Sequence, residues 1–226
     1  MMESDLPNGS ANPDSVLERH LQYTAIGDSL TVGYGGTQAG GFTEIFRQKL
    51  EQQLQQPILL YNYGVNGATS EQIYRYILEN DEIQHRLRDS NWITLTAGGN
   101  DLLQAAKPYF MEGVTEPLKL AVRAYRHFLQ DIIGLIARIK DYKSDFQLFL
   151  LDLYNPVPSM DEARIWVRRF NRPMKVFNSE TIHYVPVLEA FASEYDRLIS
   201  DDFVHPNDRG YQVMADVLFQ TYNNVR

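Results

Sequence analysis

The chain alternates short apolar runs with longer segments in which apolar residues recur at every third or fourth position. The apolar runs are bounded by glycine, proline or polar residues, which is typical of strands buried inside a sheet. They predict strands near Tyr23–Ile26, Ile58–Tyr63, Trp92–Ala97, Gln147–Leu153 and His183–Val187. Because helical segments separate them, the pattern favours a parallel sheet covered on both faces. We therefore predict an α/β fold, a doubly wound three-layer α/β/α sandwich with about five strands.

The segments between the strands carry apolar residues at helical spacing. They predict helices over 42–54, 70–78, 118–140, 161–178 and 208–222. Ser70 is suited to capping the second of these helices, and Pro173 should bend or interrupt the fourth. Residues Pro108–Pro117 follow no clear period, so this stretch is expected to be an irregular excursion or a short lid.

The domain organisation follows from the absence of any linker-like stretch between these elements. We expect one domain over residues 21–226, preceded by a polar N-terminal tail over residues 1–20. The tail has no apolar central region, so it predicts no signal peptide and a cytoplasmic location. An upstream leader would instead predict a secreted or cell-surface protein. No run of about 18 apolar residues occurs, which predicts no transmembrane segment.

The charge balance and the missing cysteines exclude several classes of protein. The 29 acidic residues outnumber the 21 basic ones and give a net charge of −8, which argues against nucleic acid as a partner. Without cysteine, the chain has no disulfide scaffold, cysteine nucleophile or thiolate metal site. Because cysteine is absent, serine is the hydrolytic nucleophile that the composition favours.

One predicted helix is markedly basic in this acidic chain, with Arg164, Arg168, Arg169, Arg172 and Lys175. Such a run is usually a solvated face. It would also suit a peripheral contact with anionic lipid headgroups, although binding to a membrane surface normally needs apolar insertion as well. The sequence leaves both interpretations of the basic helix open. It gives no indication of the oligomeric state.

Four short polar segments fall where chemistry is expected in such a fold. Residues 27–30 (Gly-Asp-Ser-Leu), 64–69 (Gly-Val-Asn-Gly-Ala-Thr) and 98–101 (Gly-Gly-Asn-Asp) follow the first three strands, and residues 202–205 (Asp-Phe-Val-His) precede the last helix. Ligands of a doubly wound sheet bind beyond the carboxyl ends of its strands. The four segments are therefore predicted to meet at one edge of the sheet and to form the functional site.

Ser29 is the candidate nucleophile, with His205 as its base and Asp202 as the group that orients the base. A serine hydroxyl is a weak nucleophile until a neighbouring base accepts its proton, and that base needs a third group to fix its tautomer. Asp202 and His205 are three positions apart, a spacing that brings both side chains to one side of a turn. Taken singly, Ser29 could instead cap a helix, and the other two residues could form a surface pair.

Donors for a developing oxyanion are candidates in the same segments. The backbone N–H groups of Ser29 and Gly67 and the side-chain amide of Asn100 would supply three donors from three strand ends. Each has a structural alternative as well, because Gly67 could serve a tight turn and Asn100 could cap a helix.

Two other groups of residues bear on what this site could hold. A stretch of large apolar side chains could line a substrate pocket, as an acyl site or a lid, or it could serve ordinary packing. It comprises Tyr109, Phe110 and Met111. The remaining histidines have no carboxylate at the spacing of a metal site, so no metal is predicted. They are His20, His85, His127 and His183.

The order of the four segments resembles the GDSL, or SGNH, lipase/esterase family, which is named for Ser, Gly, Asn and His residues in four blocks. Here these are Ser29, Gly67, Asn100 and His205, the last with Asp202, and the resemblance covers nearly the whole chain. Within the family, the chain is most similar to small bacterial lipases and acylhydrolases, including spore-germination lipases of bacilli. The resemblance implies a flavodoxin-like sheet of order 2-1-3-4-5, a Ser–His–Asp mechanism and no cofactor.

Together, the residues and this resemblance predict a serine esterase or lipase that hydrolyses a small-molecule or lipid carboxylic ester through an acyl-enzyme. The segment around Ser29 lacks the second glycine of the α/β-hydrolase motif G-x-S-x-G, and no nucleotide-binding glycine loop occurs. A carbohydrate O-deacetylase, a thioesterase or a lysophospholipase on the same residues stays open, as does a non-catalytic module that binds a small anion. Nothing between Asn100 and Asp202 matches a specificity motif, so the acyl and alcohol groups are not predicted.

Overall fold

Parallel strands form a single sheet at the centre of the molecule. The computed structural model describes residues 20–38, 40–142, 145–192 and 194–225, so the predicted tail lies outside it except for His20. Within these ranges the strands are β1 (Leu21–Gly27), β2 (Ile58–Gly64), β3 (Trp92–Thr96), β4 (Gln147–Leu151) and β5 (Ile182–Val185). Their order in the sheet is β2-β1-β3-β4-β5, which is the order that the family resemblance implied.

Helices cover both faces of this sheet. Those within the described ranges are α1 (Ser29–Val32), α2 (Gly41–Leu54), α3 (Ser70–Leu78), α4 (Asp81–Asp89), α5 (Gly99–Glu112), α6 (Glu116–Ile139), α7 (Asp161–Val176), α8 (Val187–Phe191), α9 (Tyr195–Leu198) and α10 (Asp208–Asn224). Helices α3 to α7 contribute to the core on one face, and α2, α8, α9 and α10 contribute to the core on the other. The predicted three-layer α/β/α fold is therefore confirmed. None of the described helices combines the length and the apolar composition needed to cross a membrane.

Alternating side chains of the central strands supply both cores. In β3, Ile93 and Leu95 join one core, whereas Trp92 joins the other, and in β4 Leu150 and Phe149 divide in the same way. Successive side chains of a strand point to opposite faces, so a sheet buried on both faces requires nearly continuous apolar runs. The strands are thus anchored on two sides, and the polar segments at their carboxyl ends start from fixed positions.

The stretch Pro108–Pro117 is not an irregular excursion, and the prediction for it is wrong. Helix α5 continues through Pro108 to Glu112 and ends at Gly113, whose backbone is left-handed, and α6 begins three residues later. Proline cannot donate a hydrogen bond to the carbonyl of Gln104, but Gln104 is an exposed residue, so the missing bond falls on the solvent side of the helix. A helix, rather than a loop, therefore carries the candidate pocket residues Tyr109, Phe110 and Met111.

Helix α7 also continues through a proline. Pro173 does not interrupt it, contrary to one of the two predicted outcomes. The carbonyl that lacks a donor belongs to Arg169, which is exposed. On either side of the proline, Phe170 and Met174 are fully buried, and this packing stabilises the helical backbone around it.

The N-cap of α3 is Thr69 rather than the predicted Ser70. The side chain of Thr69 accepts a hydrogen bond from the N–H of Gln72, and the Gln72 side chain accepts one from the N–H of Thr69, which makes a capping box. Ser70 is fully buried, and both its N–H and its hydroxyl donate hydrogen bonds to Asp101. These bonds attach the loop after β2 to the start of α5.

Candidate active site

The turn after β1 brings Ser29 to the carboxyl edge of the sheet. At Gly27, an added Cβ would lie 2.1 Å from Oγ1 of Thr96, so only glycine fits there. Asp28 then caps α1, and its Oδ1 accepts hydrogen bonds from the N–H of Leu30 (3.0 Å) and the hydroxyl of Thr96 (2.9 Å). Burial raises the pKa of Asp28, and these hydrogen bonds oppose the rise. The result is a fixed turn in which Ser29 is the first residue of a short helix.

His205 lies within hydrogen-bonding distance of both Ser29 and Asp202. Its Nε2 is 2.8 Å from Oγ of Ser29, and its Nδ1 is 2.6 Å from Oδ2 of Asp202. Ser29 and His205 are 176 positions apart in the sequence, and the fold alone brings them together. The arrangement contains a hydroxyl, a base that can take its proton and a carboxylate that orients the base.

Asp202 is surrounded by hydrogen-bond donors. Its Oδ1 accepts bonds from the N–H groups of Val204 (2.9 Å) and His205 (2.8 Å) and from the hydroxyl of Ser200 (2.8 Å). Partial burial disfavours the charged form, but the hydrogen bonds from His205, Val204 and Ser200 outweigh it and lower the pKa of Asp202 below its ordinary range. The ionised carboxylate favours the imidazole tautomer that carries its proton on Nδ1. Nε2 is then free to accept the proton of Ser29.

Two residues outside the predicted segments complete the surroundings of His205. The ring of Tyr34 meets the imidazole edge-on, with 4.7 Å between the ring centroids, and the carbonyl of Tyr34 accepts a hydrogen bond from the hydroxyl of Tyr211 (2.6 Å). Gly35 has a φ of +91°, and an added Cβ would lie 2.7 Å from Cβ of His205. The run of glycines after Val32 is a signal of unusual backbone that could have pointed to Gly35, whereas nothing local points to Tyr34.

Replacing Gly35 with alanine should lower kcat/KM by about 10²-fold, because the added methyl group displaces His205 and a misplacement of about 1 Å has an effect of that size. Gly113→Ala is the matched control, since its φ is also left-handed at +72° but its Cβ would meet nothing within 4 Å. Both variants should lose about 1–2 kcal/mol of stability in thermal unfolding. Only Gly35→Ala should lose activity on a soluble p-nitrophenyl ester. Equal activity in the two variants would contradict a steric requirement at Gly35.

Asn100 and Gly67 lie beyond the ends of β3 and β2. Asn100 lines the same cavity as Ser29 and His205, and its Nδ2 donates a hydrogen bond to the carbonyl of Ala68 at 3.0 Å. Gly67 adopts a left-handed φ of +77° in the loop that this bond holds, and it does not line that cavity. The structure therefore brings Ser29, Asn100 and His205 together, and Gly67 is adjacent in sequence to a residue that Asn100 contacts.

A cavity of about 90 Å³ lies beside Ser29. Its walls are mostly apolar and include Leu30, Leu102, Leu103, Leu153, Tyr154, Pro156 and Val204. The three candidate pocket residues lie beyond this cavity. Tyr109 and Phe110 line a neighbouring apolar cavity, whereas Met111 is 80% exposed and lines neither of the two.

The pairing of both ring nitrogens sets His205 apart from other histidines of the chain. His85 and His127 also contact carboxylates one helical turn away, Asp89 at 3.7 Å and Asp131 at 3.3 Å, but they do so on exposed helix faces and without a serine partner. Among the residues that the structure describes, no three histidine, aspartate or glutamate side chains are grouped as metal ligands would be.

The chain is similar to known proteins in its family pattern, in its sequence and in its fold. Residues 25–213 match the GDSL-like Lipase/Acylhydrolase family. Spore germination lipase LipC of Bacillus licheniformis is 33% identical over 204 residues, which cover 88% of this chain and 94% of LipC. The crystal structure of the lipase Lip_vut3 from a goat rumen metagenome has a TM-score of 0.85 at 32% identity, with 89% of this chain and 97% of that chain covered. A family 3 carbohydrate esterase of Clostridium thermocellum shares the fold, with a TM-score of 0.65 at 20% identity and coverage of 91% and 96%.

The family match extends from β1 into α10 and therefore includes all four polar segments of the sheet edge. LipC and Lip_vut3 are both lipases, both are more than 30% identical to this chain, and both are covered almost completely. The resemblance drawn from the four segments is thereby confirmed at the level of the family. This chain belongs to the GDSL-like lipase/acylhydrolase family and is a carboxylic ester hydrolase.

Proposed function

We propose that Ser29, His205 and Asp202 form a catalytic triad that hydrolyses small-molecule or lipid carboxylic esters through an acyl-enzyme. One observation carries this proposal, namely the unbroken pair of hydrogen bonds that joins the three side chains. Oγ of Ser29 is 2.8 Å from Nε2 of His205, and Nδ1 of His205 is 2.6 Å from Oδ2 of Asp202. The first distance lies in the range that proton transfer from a nucleophile to its base requires, and the second is that of the hydrogen bond that orients the base.

In acylation, Oγ of Ser29 attacks the carbonyl carbon of the ester while its proton passes to Nε2 of His205. Asp202 remains ionised and stabilises the imidazolium that forms. The tetrahedral intermediate collapses when the bond from carbon to the alcohol oxygen breaks, and Nε2 of His205 gives its proton to that oxygen. In deacylation, water attacks the acyl-enzyme with His205 again as the base. The carboxylic acid leaves, and the proton returns to Ser29.

Three donors are proposed to stabilise the oxyanion of the tetrahedral intermediate. The N–H of Ser29 is at the start of α1 and has no acceptor inside that helix. The amide of Asn100 uses one hydrogen for the carbonyl of Ala68 and retains a second for the oxyanion. The N–H of Gly67 would come from the loop that Asn100 holds. Each such donor contributes about 3–4 kcal/mol to stabilisation of the transition state.

A fluorophosphonate probe tests the proposal, because its phosphorus reacts with an activated serine hydroxyl and mimics the acylation step. The wild-type protein should be labelled once, at Ser29, and peptide mass spectrometry should locate the label. Ser29→Ala should not be labelled, and His205→Ala should be labelled far more slowly, since its serine has lost the base. Labelling that persists in folded Ser29→Ala would contradict the assignment. A folded wild-type protein that takes up no label would favour a module that only binds.

A further inference from the structure

A second apolar cavity continues from the one beside Ser29. The two cavities share Leu102 and Leu103 of α5 and Pro156 of the loop after β4. The second cavity measures about 50 Å³ and extends between α5 and α7. Its further walls include Ala106, Tyr109 and Trp166. A group bound at Ser29 therefore has an apolar path that leads away from the nucleophile.

The lining of the second cavity is entirely apolar. A sugar hydroxyl or a charged headgroup placed there would lose its hydrogen bonds to water without replacement. A hydrocarbon chain has no such bonds to lose. Each methylene that moves from water into an apolar cavity raises the binding constant by a factor of about four. This small apolar cavity therefore suits an unbranched hydrocarbon chain and disfavours a carbohydrate.

Helix α5 sets the direction and the length of this path. Asn100 is near the start of the helix, beside Ser29, and Tyr109 is nine residues further along. With a rise of 1.5 Å per residue, Tyr109 lies about 13 Å along the helix from Asn100. An acetyl group on Ser29 would remain in the first cavity. Only a chain of several carbons would pass Leu103 and reach Ala106.

We propose that the acyl chain of the substrate occupies both cavities, and that the small side chain of Ala106 is what admits it to the second. Ala106 lies one turn beyond Leu102 and Leu103 and about one turn before Tyr109, so its methyl group faces the middle of the path. The substrate class is then esters of unbranched medium-chain carboxylic acids, such as octanoate, rather than acetyl esters of carbohydrates. This inference rests on the proposed function, because the chain is delivered as an ester to Ser29.

Ala106→Trp tests the inference by filling the second cavity, and Lys107→Trp is the matched control because it adds the same side chain at the neighbouring exposed position of α5. The measurement is kcat/KM for p-nitrophenyl acetate, butyrate and octanoate, each below its micelle-forming concentration. The wild-type protein and Lys107→Trp should favour octanoate over acetate by at least tenfold. Ala106→Trp should lose at least tenfold on octanoate and stay within threefold on acetate. Ala106→Leu should show a smaller loss of the same kind, and it covers the case in which the tryptophan variant does not fold.

Several outcomes would overturn the inference. Equal losses on acetate and octanoate in the Ala106 variants would show a general disturbance rather than a blocked chain. A wild-type protein that hydrolyses acetate faster than octanoate would exclude the acyl path and leave the triad proposal standing. A folded wild-type protein that hydrolyses none of the esters and takes up no fluorophosphonate would overturn both proposals, and this result is distinguishable from the other two.

Discussion

Replacing Ser29 with alanine should reduce kcat for a p-nitrophenyl ester by about 10⁵- to 10⁶-fold, with little change in KM. Alanine keeps the backbone N–H and the shape of the turn but removes Oγ, the atom that would form the bond to the carbonyl carbon. His205 then has no proton to accept, so the contribution of His205 and of Asp202, which orients it, is lost together with that of Ser29. The remaining acceleration over water should reflect substrate binding and the oxyanion donors alone.

The measurement needs a variant that is shown to be folded. Ser29→Ala loses one hydrogen bond, to His205, so its free energy of unfolding should change by only about 1 kcal/mol. Thermal unfolding followed by circular dichroism would verify this before the kinetics are compared. A folded Ser29→Ala protein that keeps more than a hundredth of the wild-type kcat would show that ester hydrolysis occurs at some other site.

The sheet edge could be predicted from the sequence because its geometry follows from local patterns. Gly27, Gly64 and Gly98 mark the ends of apolar runs, and parallel strands place all their carboxyl ends at one edge. Ser29 and Asn100 are positioned by that rule without any knowledge of helix packing. His205 is placed at the same edge by its position before the last helix. In the structure its Nε2 lies 2.8 Å from Oγ of Ser29.

The neighbours of His205 and the course of α5 could not be predicted, because they depend on contacts between distant parts of the chain. Tyr34 meets His205 only after the loop that follows α1 has packed beside α10, and no local period records this contact. Pro108 is a second case, in which the local sequence signal gives the wrong prediction. Its local preference predicts a break, but the apolar residues around it pack against the core and keep the segment helical. The course of α5, and therefore the position of the second cavity, could not be predicted from the sequence.

Specificity was the least predictable part of the function, and the reason is chemical. Apolar residues that line a cavity follow the same sequence pattern as apolar residues of the core. In the sequence, Ala106 and Trp166 therefore cannot be distinguished from core residues. The four polar segments carry the proposed reacting groups, and a protein of only 20% identity shares the fold. The specificity of this chain must therefore be sought in the side chains that α5 and α7 contribute to the second cavity.

Replacing Asp202 with asparagine should reduce kcat by about 10⁴-fold at neutral pH, because the amide would favour the wrong imidazole tautomer. Oδ1 of the asparagine can still accept the hydrogen bonds of Val204, His205 and Ser200, so the loop should keep its shape. Its Nδ2, however, would donate to Nδ1 of His205, and the ring proton would then sit on Nε2. An Nε2 that already carries a proton cannot accept the one from Ser29. Asp201→Asn removes the same charge from the adjacent exposed position and should keep wild-type kinetics.

Asp202→Asn also allows the contribution of the Asp202 carboxylate to stability to be measured as a function of pH. This contribution should decrease as the pH falls. The hydrogen bonds of Asp202 lower its pKa in the folded protein below the value of about 3.9 that an aspartate has when unfolded. The stabilisation is therefore complete above that value and is lost as the pH falls toward the lowered pKa. The difference in Tm between wild type and Asp202→Asn should shrink as the pH falls below about 4. A difference that stays constant or grows as the pH falls below about 4 would show that the hydrogen bonds to Asp202 do not stabilise its charged form.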